Sequence, residues 1–354
     1  MTQILAVRSA FPPYKYPQHE LTQKYGDLTG LHRSRRALLE RLHRNAGVAT
    51  RHTVLPLHEY GTLTGVAATN DRYIAEATAL GEQALSRALA QAGARPHDID
   101  LLVVTSVTGV AVPSIDARLI PRLGLRPDVK RLPIFGLGCV AGAAALSRVH
   151  DYLRGWPGHT AALLAVELCT LTVPSRAVTT ADLVASGLFG DGAAALIATG
   201  APAGSPPATS AGPTIIATRG EVFPDSVDAL GWRLADTGFR IVLTTDLSEV
   251  VERGIGAAIT RFLADHELAA DDIGAWICHP GGPRVIDAVQ KALTLSDDQV
   301  ALSREALAEA GNLSSASVLH ILEKVQATPP DPGTFGLMVG LGPGVSVELV
   351  LLRW

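Results

Sequence analysis

The chain has 354 residues, 47% of them hydrophobic and 18% charged, with a formal net charge of −4. That hydrophobic content can bury a large core in roughly two domains or two fused halves, and the mildly acidic balance excludes a broad affinity for nucleic acid or anionic membrane. The three cysteines, Cys139, Cys169 and Cys278, are far apart and odd in number, which fits a reduced compartment better than a disulfide framework.

In chain order, the stretch before Arg8 is too short to be the apolar core of a signal peptide. No later run is long and apolar enough to span a membrane. The protein reads as soluble and cytoplasmic, without stable membrane insertion. Residues 31–44 form a predicted basic amphipathic helix. Most such runs are solvated faces, but in an acidic chain this one can meet a phosphorylated ligand.

A diverged internal repeat follows. Arg87, Leu89, Ala90, Asp98 and Ile99 match Arg261, Leu263, Ala264, Asp272 and Ile273 at a constant offset of 174. Each copy reads as an amphipathic helix, a polar loop and a buried strand, at Leu101–Ser106 and at Ala275–His279. Chance likeness between Ala/Leu-rich helices competes with this reading, and the preserved order of several elements argues against chance. A second echo pairs the glycine turn and buried strand after Leu188 with those after Gly340. The Pro/Gly/Ser-rich stretch Thr199–Pro213 reads as the connection between halves 1–212 and 213–354, or as an exposed loop.

Between the copies of the first repeat lies Gly136-Leu-Gly-Cys139-Val-Ala-Gly, an apolar segment ending in glycines with a thiol at the first turn of an Ala/Gly-rich helix. A helix N-terminus lowers a thiol pKa, while a lone Cys is more often a buried structural residue. His279 ends the strand that pairs with Leu101–Ser106 in the repeat, and Pro280 with two glycines breaks the chain before a helix at 285–293. It is either a satisfied structural histidine or a group facing a cleft. Asn312 stands where a helix begins, as an N-cap or as a functional carboxamide. Shifted by 174, Cys139 falls on position 313, beside Asn312. A thiol, an imidazole and a carboxamide at equivalent corners suit acyl transfer, with the thiolate as nucleophile and the other two donating to an oxyanion. No Cys-x-x-Cys pair or His-Glu-x-x-His motif is present, so no metal site is predicted.

Five motifs in this order, Gly136-Leu-Gly-Cys139-Val-Ala-Gly, Leu188-Phe189-Gly-Asp-Gly-Ala-Ala, His279-Pro-Gly-Gly-Pro, Gly311-Asn312-Leu-Ser-Ser-Ala and Gly340-Leu-Gly-Pro-Gly, carry a resemblance over nearly the whole chain. The chain resembles the type III polyketide synthases, the chalcone-synthase-like branch of the condensing enzymes. The resemblance implies an α/β, five-layered αβαβα thiolase fold from two pseudo-symmetric halves, with the active site between them. It implies Cys139 as the acyl-carrying nucleophile, kept ionised by His279. His279 and Asn312 would hold the malonyl thioester and stabilise its enolate. Phe189 matches the gatekeeper between the coenzyme A tunnel and the condensation cavity, and Phe239 a second gatekeeper beside an insertion. Arg41 and Arg44 match positions that hold coenzyme A phosphates, and a third basic position of the plant enzymes has no clear counterpart.

Departures from the plant pattern refine the expectation. Leu341 replaces an aromatic wall, and Cys169 stands where the plant enzymes have a threonine. The run Val107–Arg118 looks most like bacterial alkylpyrone and alkylresorcinol synthases. In those a lipid tunnel opens between the positions of Thr108 and Cys169, beside a small residue where this chain has Val173. The implied activity is acyltransfer: iterative decarboxylative condensation of a medium- or long-chain acyl-CoA starter with malonyl-CoA or methylmalonyl-CoA, then closure to a pyrone or resorcinol near Thr108 and Thr172. Thr108 and Cys169 otherwise line only a small pocket. No cofactor is implied, since the coenzyme A thioesters are substrates. The family forms homodimers whose partner loop reaches each site, and Val112 occupies that loop. The competing readings are a single-condensation 3-oxoacyl-carrier-protein synthase III and a catalytically silent acyl-CoA-binding subunit.

Overall fold

The computed structural model describes residues 1–63, 65–173, 178–201, 212–235, 238–244 and 247–354. Its strands are β1 (Thr2–Ala10), β2 (Tyr14–Pro17), β3 (Thr50–Thr53), β4 (Ile99–Thr105), β5 (Lys130–Ile134), β6 (Thr160–Leu168), β7 (Asp191–Gly200), β8 (Thr214–Val222), β9 (Leu230–Ala235), β10 (Gly238–Leu243), β11 (Ile273–Cys278), β12 (Phe335–Gly342) and β13 (Ser346–Arg353). The helices are α1 (Gln18–Leu28), α2 (Arg33–Arg44), α3 (Gly65–Ala92), α4 (Ile115–Leu123), α5 (Ala141–Gly155), α6 (Thr180–Leu188), α7 (Leu247–Ala264), α8 (Pro283–Leu293), α9 (Asp297–Ala310) and α10 (Ser317–Ala327). Most of the expected connection at 199–213 falls on residues 202–211, outside the described residues.

The main sheet runs β11-β12-β13-β8-β1-β7-β6-β4-β5. Read outward from its middle, β1-β7-β6-β4 and β8-β13-β12-β11 have the same order and the same senses: two antiparallel pairings, then a parallel one. Only Thr2↔Ile215 and Gln3↔Thr214 join the two halves across β1 and β8. The strand of His279 is therefore the counterpart of β4 in the repeat, and its hydrogen-bonded neighbour is β12. β5 adds an edge strand that has no counterpart among the described residues of the second half.

Alternate strand residues feed different cores, as the period of two requires. Leu163 and Ala165 of β6 pack inward with α5 and α10, while Ala162, Leu164 and Val166 pack outward with α3 and α4. Likewise Met338 and Val350 face the central helices, whereas Leu337, Val339, Leu349 and Leu351 face the outer core of α7 and α8. Helix, sheet, helix, sheet, helix is the five-layered thiolase arrangement. Central helices can touch both half-sheets only if their side chains are small. A Cβ on Gly340 of β12 would lie 2.8 Å from Ala143 Cβ, and one on Gly142 would lie 2.1 Å from Ser315 O. Those glycines let α5 seat against the second half.

Candidate active site

Cys139 sits in a 3-10 turn, Gly138–Val140, that enters α5, one step earlier than the helical first turn expected. The matching turn in the second half is Ser314–Ala316 before α10. Both turns begin in the left-handed region, with φ of 59° at Gly138 and 50° at Ser314. The counterpart of Cys139 is thus Ser315, and Asn312 lies before the turn; the match at position 313 is off by two residues. Position 314 carries a side chain where glycine is favoured, a cost of order 1 kcal/mol. Asn312 offsets it, because its Oδ1 accepts from the Ser314 N–H at 2.8 Å and from Ser317 Oγ at 3.4 Å.

This cap fixes the amide's orientation. With Oδ1 engaged, the Nδ2 group is left to donate, with one long contact of 3.4 Å to Gly281 O. Asn312 is buried and lines a cavity of about 50 Å³ together with Cys139, His279, Phe189 and Leu341. The cap and the functional amide are one arrangement. His279 follows β11, its N–H donating to Val339 O at 2.9 Å, and its Nδ1 is buried without a hydrogen-bond partner.

The electrostatics differ from the expectation of a standing thiolate. Burial pushes the Cys139 thiol up to about 12; the Glu167 charge adds to this, and a 3.4 Å hydrogen bond from Sγ to Ser314 Oγ opposes it. Burial likewise pushes His279 down to about 3. At neutral pH both groups rest uncharged, and the thiol donates to Ser314 rather than to the imidazole. Neighbouring Cys169 is pushed up for the same reason, with Glu167 and Asp191 adding to the shift.

Behind the thiol, Glu167, the penultimate residue of β6, is fully buried and collects Ser315 Oγ (2.5 Å), the Val107 N–H (3.0 Å), Thr108 Oγ1 (3.0 Å) and Ser106 Oγ (3.3 Å). Burial raises its pKa even so. Thr108 also accepts from the Leu168 N–H at 2.9 Å. Thr108 and Cys169 line a second small cavity with Cys139, Phe189 and Trp232. Thr108 is shared with an outer cavity of about 110 Å³ that Thr172, Val173 and Phe239 also line.

Phe189 borders the three cavities nearest the thiol. Phe239 lies instead on the outer cavity, so the second aromatic beside Cys139 is Trp232, 6.2 Å from Phe239 between ring centroids. Trp232 pairs with Ile241 and Leu230 pairs with Leu243 across the β9–β10 hairpin, and these four side chains wall the thiol's cavities. The alternation Leu230-x-Trp232 and Ile241-x-Leu243 was a readable signal of that face. Arg41 and Arg44 are exposed on α2, whose buried His43 is pinned between Thr22 Oγ1 (2.8 Å) and Ser186 Oγ (3.1 Å) of α6. The basic helix therefore abuts the helix that ends at Phe189.

Two helix-borne corners, one on each side of a duplicated sheet, close on a thiol, an imidazole and a carboxamide: this is the build of a thiolase-fold condensing enzyme. The family model for the N-terminal domain of chalcone and stilbene synthases matches residues 1–202, and that for the C-terminal domain matches residues 214–354. The chain is 52% identical over its whole length to the 1,3,6,8-tetrahydroxynaphthalene synthase of Streptomyces peucetius subsp. caesius, covering 93% of that protein. It is 30% identical to the phloroglucinol synthase of Pseudomonas fluorescens, over 97% of this chain and 98% of that one. The crystal structure of 1,3,6,8-tetrahydroxynaphthalene synthase from Streptomyces coelicolor A3(2) superposes with a TM-score of 0.92 at 29% identity, covering 99% of both chains. PKS-I from the brown alga Ectocarpus siliculosus gives 0.93 at 28% identity, over 99% of this chain and 98% of that one. The chain belongs to the chalcone and stilbene synthase family. It is a type III polyketide synthase, an acyltransferase that condenses malonyl-CoA.

Proposed function

We propose that this synthase uses malonyl-CoA as both starter and extender and releases a small polyhydroxylated aromatic of the tetrahydroxynaphthalene type. The observation that carries the reading is the convergence of Cys139, His279 and Asn312 on one cavity of only about 50 Å³, walled by Phe189, Leu230, Ile241 and Leu341. Apolar walls this close to the thiol suit flat, unsaturated intermediates. The naphthalene skeleton of the product named for the Streptomyces peucetius relative contains ten carbons, which five malonyl units supply with loss of one carbon dioxide each.

In the loading step the neutral His279 imidazole takes the Cys139 proton as sulfur attacks the thioester carbonyl, then returns it to the departing coenzyme A thiol. Starting from two uncharged groups, the step needs no buried ion at rest. The second malonyl-CoA loses carbon dioxide, and the electron pair of the broken C–C bond becomes a thioester enolate. Asn312 Nδ2 and the His279 N–H donate to its oxygen. The enolate carbon then attacks the acyl carbon on Cys139, the C–S bond breaks, and the thiolate leaves the chain two carbons longer on coenzyme A. Arg41 and Arg44 hold the coenzyme A phosphates at the mouth. Two copies assemble about the edge next to β5, where Val110, Val112, Phe135 and Leu137 are exposed and Val112 is 91% accessible.

A medium-chain acyl starter is the second reading, favoured by the outer cavity that Thr108 shares with the thiol's chamber. Product mass analysis with malonyl-CoA alone, then with acyl-CoAs of increasing length and with methylmalonyl-CoA, separates the two. The first reading expects an aromatic product from malonyl-CoA alone. Product that forms only after a fatty acyl-CoA is added would reverse the assignment in favour of pyrone or resorcinol synthesis.

A further inference from the structure

The segment that carries Phe189 is gripped at four consecutive residues. Gln18 Nε2 donates to Gly187 O (2.7 Å), the Asn312 N–H to Leu188 O (2.8 Å) and Arg51 Nη1 to Phe189 O (2.6 Å), while the Gly190 N–H donates to Asn312 O (3.0 Å). The Phe189 N–H also closes onto Ala185 O at 3.0 Å. Arg51 Nε donates to Gln18 Oε1 at 3.1 Å, so the two side chains act on this stretch as one unit.

Arg51 is buried, and its hydrogen bonds go to a carbonyl and a carboxamide rather than to a carboxylate. Burial lowers its pKa to about 10, with the Asp191 charge opposing the shift. Desolvating a guanidinium for such partners is costly unless the geometry it holds matters. The packing beneath is equally close. A Cβ on Gly311 would lie 2.6 Å from Leu188 O and 2.9 Å from Arg51 Cδ, and one on Gly190 would lie 2.3 Å from Ala310 O. The backbones of the two halves touch here, with the arginine stem directly beside them.

We propose that Arg51, backed by Gln18, is a positioning residue for chain elongation: it fixes Phe189 over the Cys139 cavity and, through the Phe189–Asn312 backbone bridge, fixes the Asn312 carboxamide as well. The inference rests on the reading that Phe189 and Asn312 wall the condensing site. It makes Phe189 a gate that moves by its ring alone, because its backbone is held on both sides.

The test compares Arg51→Met, which keeps an unbranched apolar stem without donors, with Arg51→Lys, which keeps one donor for Phe189 O. Steady-state kcat and KM for malonyl-CoA, the product profile and the folded fraction by thermal melting are measured together. Arg51→Met is expected to lower kcat per folded molecule at least tenfold with KM within twofold, and to raise the share of shortened lactones. Arg51→Lys is expected to recover activity to within threefold of the parent. A parental kcat and product profile in folded Arg51→Met overturns the proposal. If Arg51→Met does not fold, Gln18→Met carries the test, with a smaller shift in the same direction expected and an unchanged profile overturning it. Phe189→Ala and Asn312→Ala run alongside; if they too leave the products unchanged, it is the reading of the site that falls.

Discussion

The turn Gly138–Val140 in the first half and the turn Ser314–Ala316 in the second occupy equivalent corners of one fold, yet they do opposite jobs. Both follow a positive-φ residue into a buried helix. The first presents Cys139 to the cavities. The second turns Ser315 away, fully buried, to donate to Glu167 of the first half at 2.5 Å. One corner carries the nucleophile and the other ties the halves together behind it. Duplication supplied two helix N-termini, and the neighbouring side chains decided which became reactive. Ser314 links them, since its hydroxyl is the thiol's partner while its backbone is held by Asn312.

The largest effect comes from trying to exchange the corners. Cys139→Ser should reduce product formation from malonyl-CoA by about a thousandfold. Adding Ser315→Cys should restore nothing, because that position is sealed against Glu167. Recovery of product by the double variant, followed by mass spectrometry, would show the corners to be interchangeable.

Asn312→Asp separates capping from chemistry at the second corner. It keeps the oxygen that holds Ser314 and loses the Nδ2 donor, so malonyl-CoA decarboxylation should fall by about 10²–10³. Because Asn312 is buried, stability in denaturant unfolding should fall by about 1–3 kcal/mol for the carboxyl placed there. A large loss of stability with decarboxylation intact would mean that Asn312 serves the turn alone.

The resting charge state of the first corner is read by alkylation of Cys139 with iodoacetamide across pH. Alkylation needs the thiolate, and a thiol raised to about 12 holds little of it below pH 9, so the rate should climb about tenfold per pH unit from 7 to 9. A plateau already reached at pH 7 would show that His279 captures the proton before substrate arrives. The smallest effect is expected from Ser315→Ala, which leaves buried Glu167 with one donor fewer. It should cost about 1–3 kcal/mol of stability in denaturant unfolding and spare most of the activity.

Much of this was legible in the chain. The repeated Asp-Ile before each buried strand marked β4 and β11, and the helical offset matched α3 to α7. The connecting elements spoiled the count beyond them. α4 and β5 lie between β4 and Cys139, whereas α8 and α9 lie between β11 and Ser315, so an offset of 174 slips by two before the second corner. Nothing in the propensity of serine marks position 314 as left-handed; the Asn312 side chain imposes it. The motif points to Phe239 and not to Trp232, because the register that brings Trp232 beside Ile241 is set by cross-strand pairing.

The sequence by itself determined the duplicated fold, the order of its motifs and the thiol, imidazole and carboxamide of the site. These are properties of residue type and spacing, which survive without coordinates. Tertiary structure alone decided which residues wall the cavity, that Asn312 is both cap and donor, and that thiol and imidazole rest uncharged. Each of those depends on burial and on which residues the packed halves bring together, and neither can be read from residue type and spacing.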